Sequence, residues 1–229
     1  MIEFNNITKV YGKKTALSVD QLHINKRQCV GIVGNNGAGK TTMLSLILDL
    51  IKATTGTVSI KGAPVSVSHD WKNYTNSYLN EGFLIPFLTP FEYLEFVASL
   101  HGMNRSDLDS FLIDNASFYN DDIHSGKFIR QLSSGNKNKI GILATMLASP
   151  ELIILDEPFA NLDPGSQSWL KNKLQNLYNS GTTMIISSHD LGHVTDICSR
   201  IIVLEDGKIV MDVINGSGTL NELESYFRR

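Results

Sequence analysis

Residues 34–42 read Gly34-Asn35-Asn36-Gly37-Ala38-Gly39-Lys40-Thr41-Thr42. Glycines at this spacing let the backbone fold back on itself, so that several N–H groups point at one anion without a side chain in the way. Lys40 adds a positive charge for the outer phosphates of a nucleotide, and the Thr41 hydroxyl is a ligand for Mg²⁺. An apolar run, Cys29 to Val33, precedes the loop, and a helical pattern from Lys40 to Ile51 follows it. That order puts the positive end of a helix at the phosphates. The segment is a complete phosphate-binding loop, and the chemistry it implies is binding of ATP or GTP.

A second group of reactive residues lies far downstream. Leu152 to Leu155 is an apolar strand ending in Asp156-Glu157-Pro158. A buried parallel strand presents its C-terminal end to ligand, so Asp156 is placed to hold Mg²⁺ through water. Glu157, one residue on, is the candidate base that orients and deprotonates an attacking water. Another apolar strand, Thr182 to Ser188, ends in His189-Asp190. An imidazole there can contact a terminal phosphate and report its loss. Leu132-Ser133-Ser134-Gly135-Asn136 opens a further helix, with Ser133 as its cap and a second anion site at its N–H groups. Its anion is expected to be the nucleotide held by another copy of the chain.

These residues need a scaffold that brings strand ends to one edge. The pattern supplies strands at Ile2–Thr8 and Ala16–Ile24, with a turn at Tyr11-Gly12-Lys13-Lys14. A hairpin follows at Thr57–Ile60 with Lys61-Gly62, then a strand within Tyr74–Asn80. From Pro90 to Ala116 the apolar spacing is helical, as it is from Leu132 to Ala148. Strand and helix then alternate: Leu152–Leu155, Gly165–Asn179, Thr182–Ser187, Asp190–Ile197. A strand pair, Ile201–Leu204 and Lys208–Val213, closes around Asp206-Gly207. Alternation of this kind predicts an α/β fold with a mostly parallel sheet and helices on both faces, interrupted by a helical insertion.

The bulk properties exclude other classes. The 229 residues, 42% hydrophobic and 19% charged, describe an ordinary globular chain. A net charge of −3 gives no reason to expect nucleic acid as a partner. Cys29 and Cys198 both fall in apolar stretches and read as reduced core residues. The start, Met1-Ile2-Glu3-Phe4, has no basic-then-apolar pattern of a secretory signal. The apolar region from Ile140 to Leu155 is interrupted at Ser149-Pro150-Glu151, short of the roughly 20 residues of a membrane span.

In this order the pieces resemble the ATPase subunit of an ABC transporter, over essentially the whole chain. Gly34–Thr42 matches the family's Walker A motif, Leu132–Asn136 its signature motif, and Leu155-Asp156-Glu157-Pro158 its Walker B motif with the catalytic glutamate. Asn161-Leu162-Asp163-Pro164 matches the D-loop and His189 the switch histidine. Tyr11 falls where the family places an aromatic ring against adenine. The resemblance implies a P-loop NTPase fold with an antiparallel β subdomain and an inserted helical subdomain. The whole of 1–229 would be one ATPase domain: core about 1–80 and 150–215, helical insertion about 81–149, short C-terminal helix about 219–229. It implies ATP and Mg²⁺ as cofactors and a head-to-tail dimer, in which Ser133 and Gly135 of one copy close over ATP on the other. It also implies a separate polytopic permease and a peripheral place on the cytoplasmic face of the plasma membrane.

Two departures stand out. Ser134 and Asn136 replace a glycine and a glutamine of the family signature. Glu81, in Tyr78-Leu79-Asn80-Glu81-Gly82, falls where the family carries a glutamine, and a carboxylate there can touch Mg²⁺ or water. The stretch from Tyr78 to Leu94 is similar to the ABC-2-type exporter branch. Its aromatic residues Phe83, Phe87, Phe91 and Tyr93 are expected to include part of a permease-docking groove. The rival expectation is a soluble ATPase of the same family acting on ribosomes or DNA. The single cassette and the lack of heptads or a basic face weigh against it.

Overall fold

A hairpin opens the chain: β1 (Ile2–Tyr11) and β2 (Lys14–Ile24) pair antiparallel around Gly12-Lys13, with Gly12 left-handed at φ 59°. β3 (Cys29–Val33) leads through the glycine-rich loop into α1 (Lys40–Ile47). β4 (Thr55–Ile60) turns at Lys61-Gly62 into the short β5 (Ala63–Pro64). After β6 (Thr75–Tyr78) come the helices α2 (Pro90–Leu100), α3 (Arg105–Asp114), α4 (Ala116–Tyr119) and α5 (Ser134–Met146). β7 (Leu152–Asp156), α6 (Pro164–Asn179), β8 (Thr183–Ser188) and α7 (Leu191–Ile197) alternate, and β9 (Arg200–Glu205), β10 (Lys208–Ile214) and α8 (Thr219–Phe227) follow. The computed structural model describes residues 1–119 and 123–228. Residues 120–122 of the expected helical insertion and residue 229 of the expected C-terminal helix lie outside the described residues.

The strands form two sheets. One is antiparallel, in the order β2-β1-β4-β5. The other runs β10-β9-β3-β8-β7-β6; every pair in it is parallel except β10 with β9. β3, β7 and β8 are buried along their whole length, which is why they read as continuous apolar runs rather than alternating ones. One core cluster lies between the large sheet and the helical insertion with α6 and α7; the other joins the antiparallel sheet to α1. A Cβ on Gly31 would collide with Val194, so α7 packs directly on the middle of β3. At the start of that seam the Cys29 and Cys198 thiols touch, Sγ to Sγ 3.5 Å, as free cysteines. Contact with Cys29, together with burial, pushes the Cys198 thiol well up.

Several expected boundaries move, each for a local reason. Tyr11 ends β1 instead of sitting in the turn. The first helix stops at Ile47, not Ile51, because Asp49 adopts a left-handed φ of 50°. The helical run from Pro90 to Ala116 breaks after Leu100: Gly102 is left-handed and Asn104 caps a new helix in a capping box with Asp107. The strand within Tyr74–Asn80 ends at Tyr78, because Asn80 caps a short 3-10 turn over Glu81–Phe83. The helix expected to run to Ala148 ends at Met146, and Ala148 and Ser149 are both left-handed. Of the four aromatics, only Phe83 and Phe87 are at the surface. Phe91 stacks on His124 and lies under Arg105, and Tyr93 packs on the core.

Candidate active site

The loop needs its glycines for two distinct reasons. Gly37 (φ 85°) and Gly39 (φ 109°) are in the region that L side chains avoid, and a Cβ on Gly39 would stand 2.7 Å from the Ala16 carbonyl. Gly39 is the N-cap of α1, so the next residue, Lys40, starts the helix at the loop. Lys40 is almost fully buried, and a buried ammonium must be partnered. Its Nζ donates to the Gly34 carbonyl at 2.7 Å and lies 3.5 Å from Glu157 Oε1.

Parallel pairing of β7 with β8 puts Asp156 opposite Ser187. Asp156 is buried and takes two hydroxyl donors: Ser187 Oγ on Oδ1, and Thr41 Oγ1 on Oδ2 at 2.6 Å. Glu157 turns out of the strand in a left-handed conformation, φ 48°, which costs a non-glycine residue about 1 kcal/mol or more. Its N–H is held by Ser187 Oγ at 3.0 Å. Its carboxylate therefore spans two partners, Lys40 through Oε1 and His189 through Oε2. His189 Nδ1 is at 2.8 Å, and the backbone N–H of the same residue donates at 3.2 Å. The His189 ring itself is largely exposed. The carboxylate held between this ammonium and imidazole lines the cleft, which keeps Glu157 a candidate general base.

One cleft of about 350 Å³ is lined by Tyr11, Asn35, Asn36, Gly37, Gly39, Lys40, Thr41 and Thr42 together with Asp156 and Glu157. Gly34 and Ala38 complete the loop beneath it, Gly34 as the acceptor for Lys40 and Ala38 buried. Tyr11 is about half exposed, and Lys9 Nζ stands 4.6 Å from its ring centroid. A larger surface hollow, about 540 Å³, lies where β1 and β2 approach β9 and β10. The Arg200–Asp212 pair on its wall is already mutually satisfied, so chemistry and not size selects the first cleft.

The other expected residues sit elsewhere. Ser133 caps α5, accepting from the Asn136 N–H at 3.2 Å. A Cβ on Gly135 would run into the Asn161 carbonyl, so this glycine is required by packing within the chain. Neither residue lines the nucleotide cleft. Asp163 caps α6, and its donors Ser166 and Lys139 hold its carboxyl well below the usual range. Glu81 pairs with Lys137 at 3.1 Å and shares a second cleft, about 270 Å³, with Asp156 and Glu157.

Three residues that matter here were not expected. Ser187 organises both carboxylates, and its signal was a polar pair ending an otherwise apolar strand. Asn138 donates to the carbonyls of Pro158 and Ala160 at 2.9 and 2.8 Å, and the buried Lys139 reaches Asp163 at 3.3 Å. Both stand out as polar residues on a helix that is buried nearly all round.

Comparison with known proteins adds to this geometry. The family profile described as ABC transporter matches residues 17–160. An uncharacterized ABC transporter ATP-binding protein of Bacillus subtilis is 34% identical over 227 residues, covering 99% of this chain and 74% of its own length. A bacitracin transport ATP-binding protein of Enterococcus faecalis is 34% identical over 216 residues, covering 93% of this chain and 69% of its own. Among solved structures, a dimeric bacterial ABC transporter cassette superposes with a TM-score of 0.85 at 25% identity, over 95% of this chain and 100% of that one.

Proposed function

The chain belongs to the ABC transporter ATP-binding family, and from that premise we propose that it drives a separate polytopic permease, as an exporter subunit, from a head-to-tail dimer of two copies. It is an ATPase. The observation that carries the mechanism is the bridge Lys40–Glu157–His189 across the mouth of the nucleotide cleft. Binding of ATP draws Lys40 from Glu157 to the phosphates. Glu157 then faces the attacking water with His189 still on its second oxygen. The water oxygen bonds to the γ-phosphorus, Glu157 accepts the proton, and the bond to the bridging oxygen breaks to leave ADP. Ser133 and Gly135 of the second copy close over the same phosphate. Asp163 and its neighbours form the turn between the two sites. Tyr11 stacks on the base.

Thr41 and Asp156 would hold Mg²⁺. Their oxygens are hard donors lying side by side. That fits an ion that keeps several waters and shares the phosphates. When bound, it would neutralise charge on the phosphates.

No helix among the described residues is long and apolar enough to cross a membrane. The exposed Phe83, Ile85, Phe87 and Phe128 support a permease-docking surface, and with it a peripheral position on the cytoplasmic face of the plasma membrane. The resemblance of Tyr78–Leu94 to the exporter branch supports the direction. We treat 1–229 as one ATPase unit. The test is a pull-down of tagged Glu157→Gln protein with ATP from native membranes, read by mass spectrometry. Recovery of a polytopic permease is expected; ribosomal or DNA-repair proteins in its place overturn the transport role.

A further inference from the structure

Glu81 is a third carboxylate beside Asp156 and Glu157, lining one cleft with them. Like charges gathered round a small cleft repel, and each disfavours the ionised form of the others. Glu157 is compensated by Lys40 and His189, and Asp156 by two hydroxyl donors. Glu81 has Lys137, whose Nζ lies 3.1 Å from Oε2.

The pair links two segments of the chain. Glu81 lies in the turn that leaves β6, and Lys137 lies one turn into α5, whose cap is Ser133. Backbone bonds run alongside it, from Ile129 N–H to the Leu88 carbonyl at 2.8 Å and from Arg130 N–H to the Pro86 carbonyl at 3.1 Å. The loop carrying Phe83, Ile85 and Phe87 is thus tied to the segment that enters the Ser133 turn. Glu81–Lys137 is a charged tie between the same two segments, and its carboxylate end lines the cleft.

We infer that Lys137 is a positioning residue for hydrolysis, acting through Glu81. It neutralises the third carboxylate, and so allows a glutamate to stand beside Asp156 and Glu157 without opposing the phosphates. This rests on the ATPase reading of the site. It makes a specific claim: Lys137 matters only while residue 81 is charged.

The test is a double-mutant cycle on the full chain with Lys137→Met, Glu81→Gln and both. ATP affinity is read by calorimetry, and kcat and KM by phosphate release. The pair is partly exposed, so folding should be unaffected, and a melting curve of each variant checks that. Lys137→Met alone is expected to weaken ATP binding and slow turnover by about fivefold each. In the Glu81→Gln background the same substitution should change either by less than about twofold. Equal losses in both backgrounds would place Lys137's action elsewhere, such as on a phosphate held by the second copy, and overturn the inference. So would a Lys137→Met protein that matches the parent. A parent chain that hydrolyses no ATP would instead strike the ATPase reading, which the cycle leaves separate.

Discussion

The glycine-loop face and the Ser133 turn are both anion sites built at the start of a helix, yet they differ in how much the chain supplies. At the first, three charged side chains already have internal partners: Lys40 has Gly34 and Glu157, Asp156 has Thr41 and Ser187, and Glu157 has His189. At the second, Ser133 accepts from an N–H of its own helix, and the nucleotide cleft lies elsewhere. The first face is a site whose residues stand in for the ligand until it arrives. The second would be half of a site on the proposed head-to-tail dimer. The contrast teaches that the groups of the nucleotide cleft are organised by folding, whereas on the proposed dimer the closing groups would be organised by a second copy.

The sharpest way to break that contrast is complementation. Lys40→Ala is expected to abolish ATP binding by calorimetry. Ser133→Arg should leave binding intact and abolish turnover. Mixed one to one, the two inactive proteins should recover roughly a quarter of parental turnover, since half the dimers are mixed and each has one intact composite site. No recovery would mean that the two faces do not meet across a dimer. Glu157→Gln comes next. Turnover should fall by about 10²–10⁴ with ATP affinity retained, and the dimer should persist by light scattering. A parental rate would remove the base assignment.

Ser187→Ala tests the claim that the first face is organised in advance. It strips a donor from Asp156 and an acceptor from the Glu157 N–H in a fully buried position. A loss of about 1–3 kcal/mol in unfolding free energy and a tenfold fall in kcat are expected. The smallest effect concerns Asp163. Its carboxyl is held down by Ser166 and Lys139, so its contribution is full above the ordinary carboxylate pKa of about 4 and is lost as pH falls below that value. Asp163→Asn should therefore lower the melting temperature slightly at neutral pH and leave the acid values nearly unchanged, which flattens the acid limb of melting temperature against pH.

Much of this was legible in the sequence because the decisive signals are local. The glycines of 34–39 and the carboxylates at the end of an apolar run each specify their geometry within a few residues. Order along the chain then identifies the family. What stayed hidden depends on contacts between distant segments. That Ser187 faces Asp156 follows from strand register, which no local pattern encodes. That Asn138 and Lys139 brace the turn after Glu157 follows from where a helical insertion lands on the sheet. One helix boundary missed was set by the left-handed pair Ala148 and Ser149, whose side chains do not advertise that backbone.

The paired thiols at the start of β3 offer something further. The chain contains only two cysteines, both buried, and they face each other between the strand that feeds the phosphate loop and the end of the helix after His189. An aqueous thiol reagent can reach them only when that seam parts. Its rate of modification is therefore a clock for local opening, with no background from other thiols. Run with and without nucleotide, the same clock reports how far ligand binding tightens the strand beneath it.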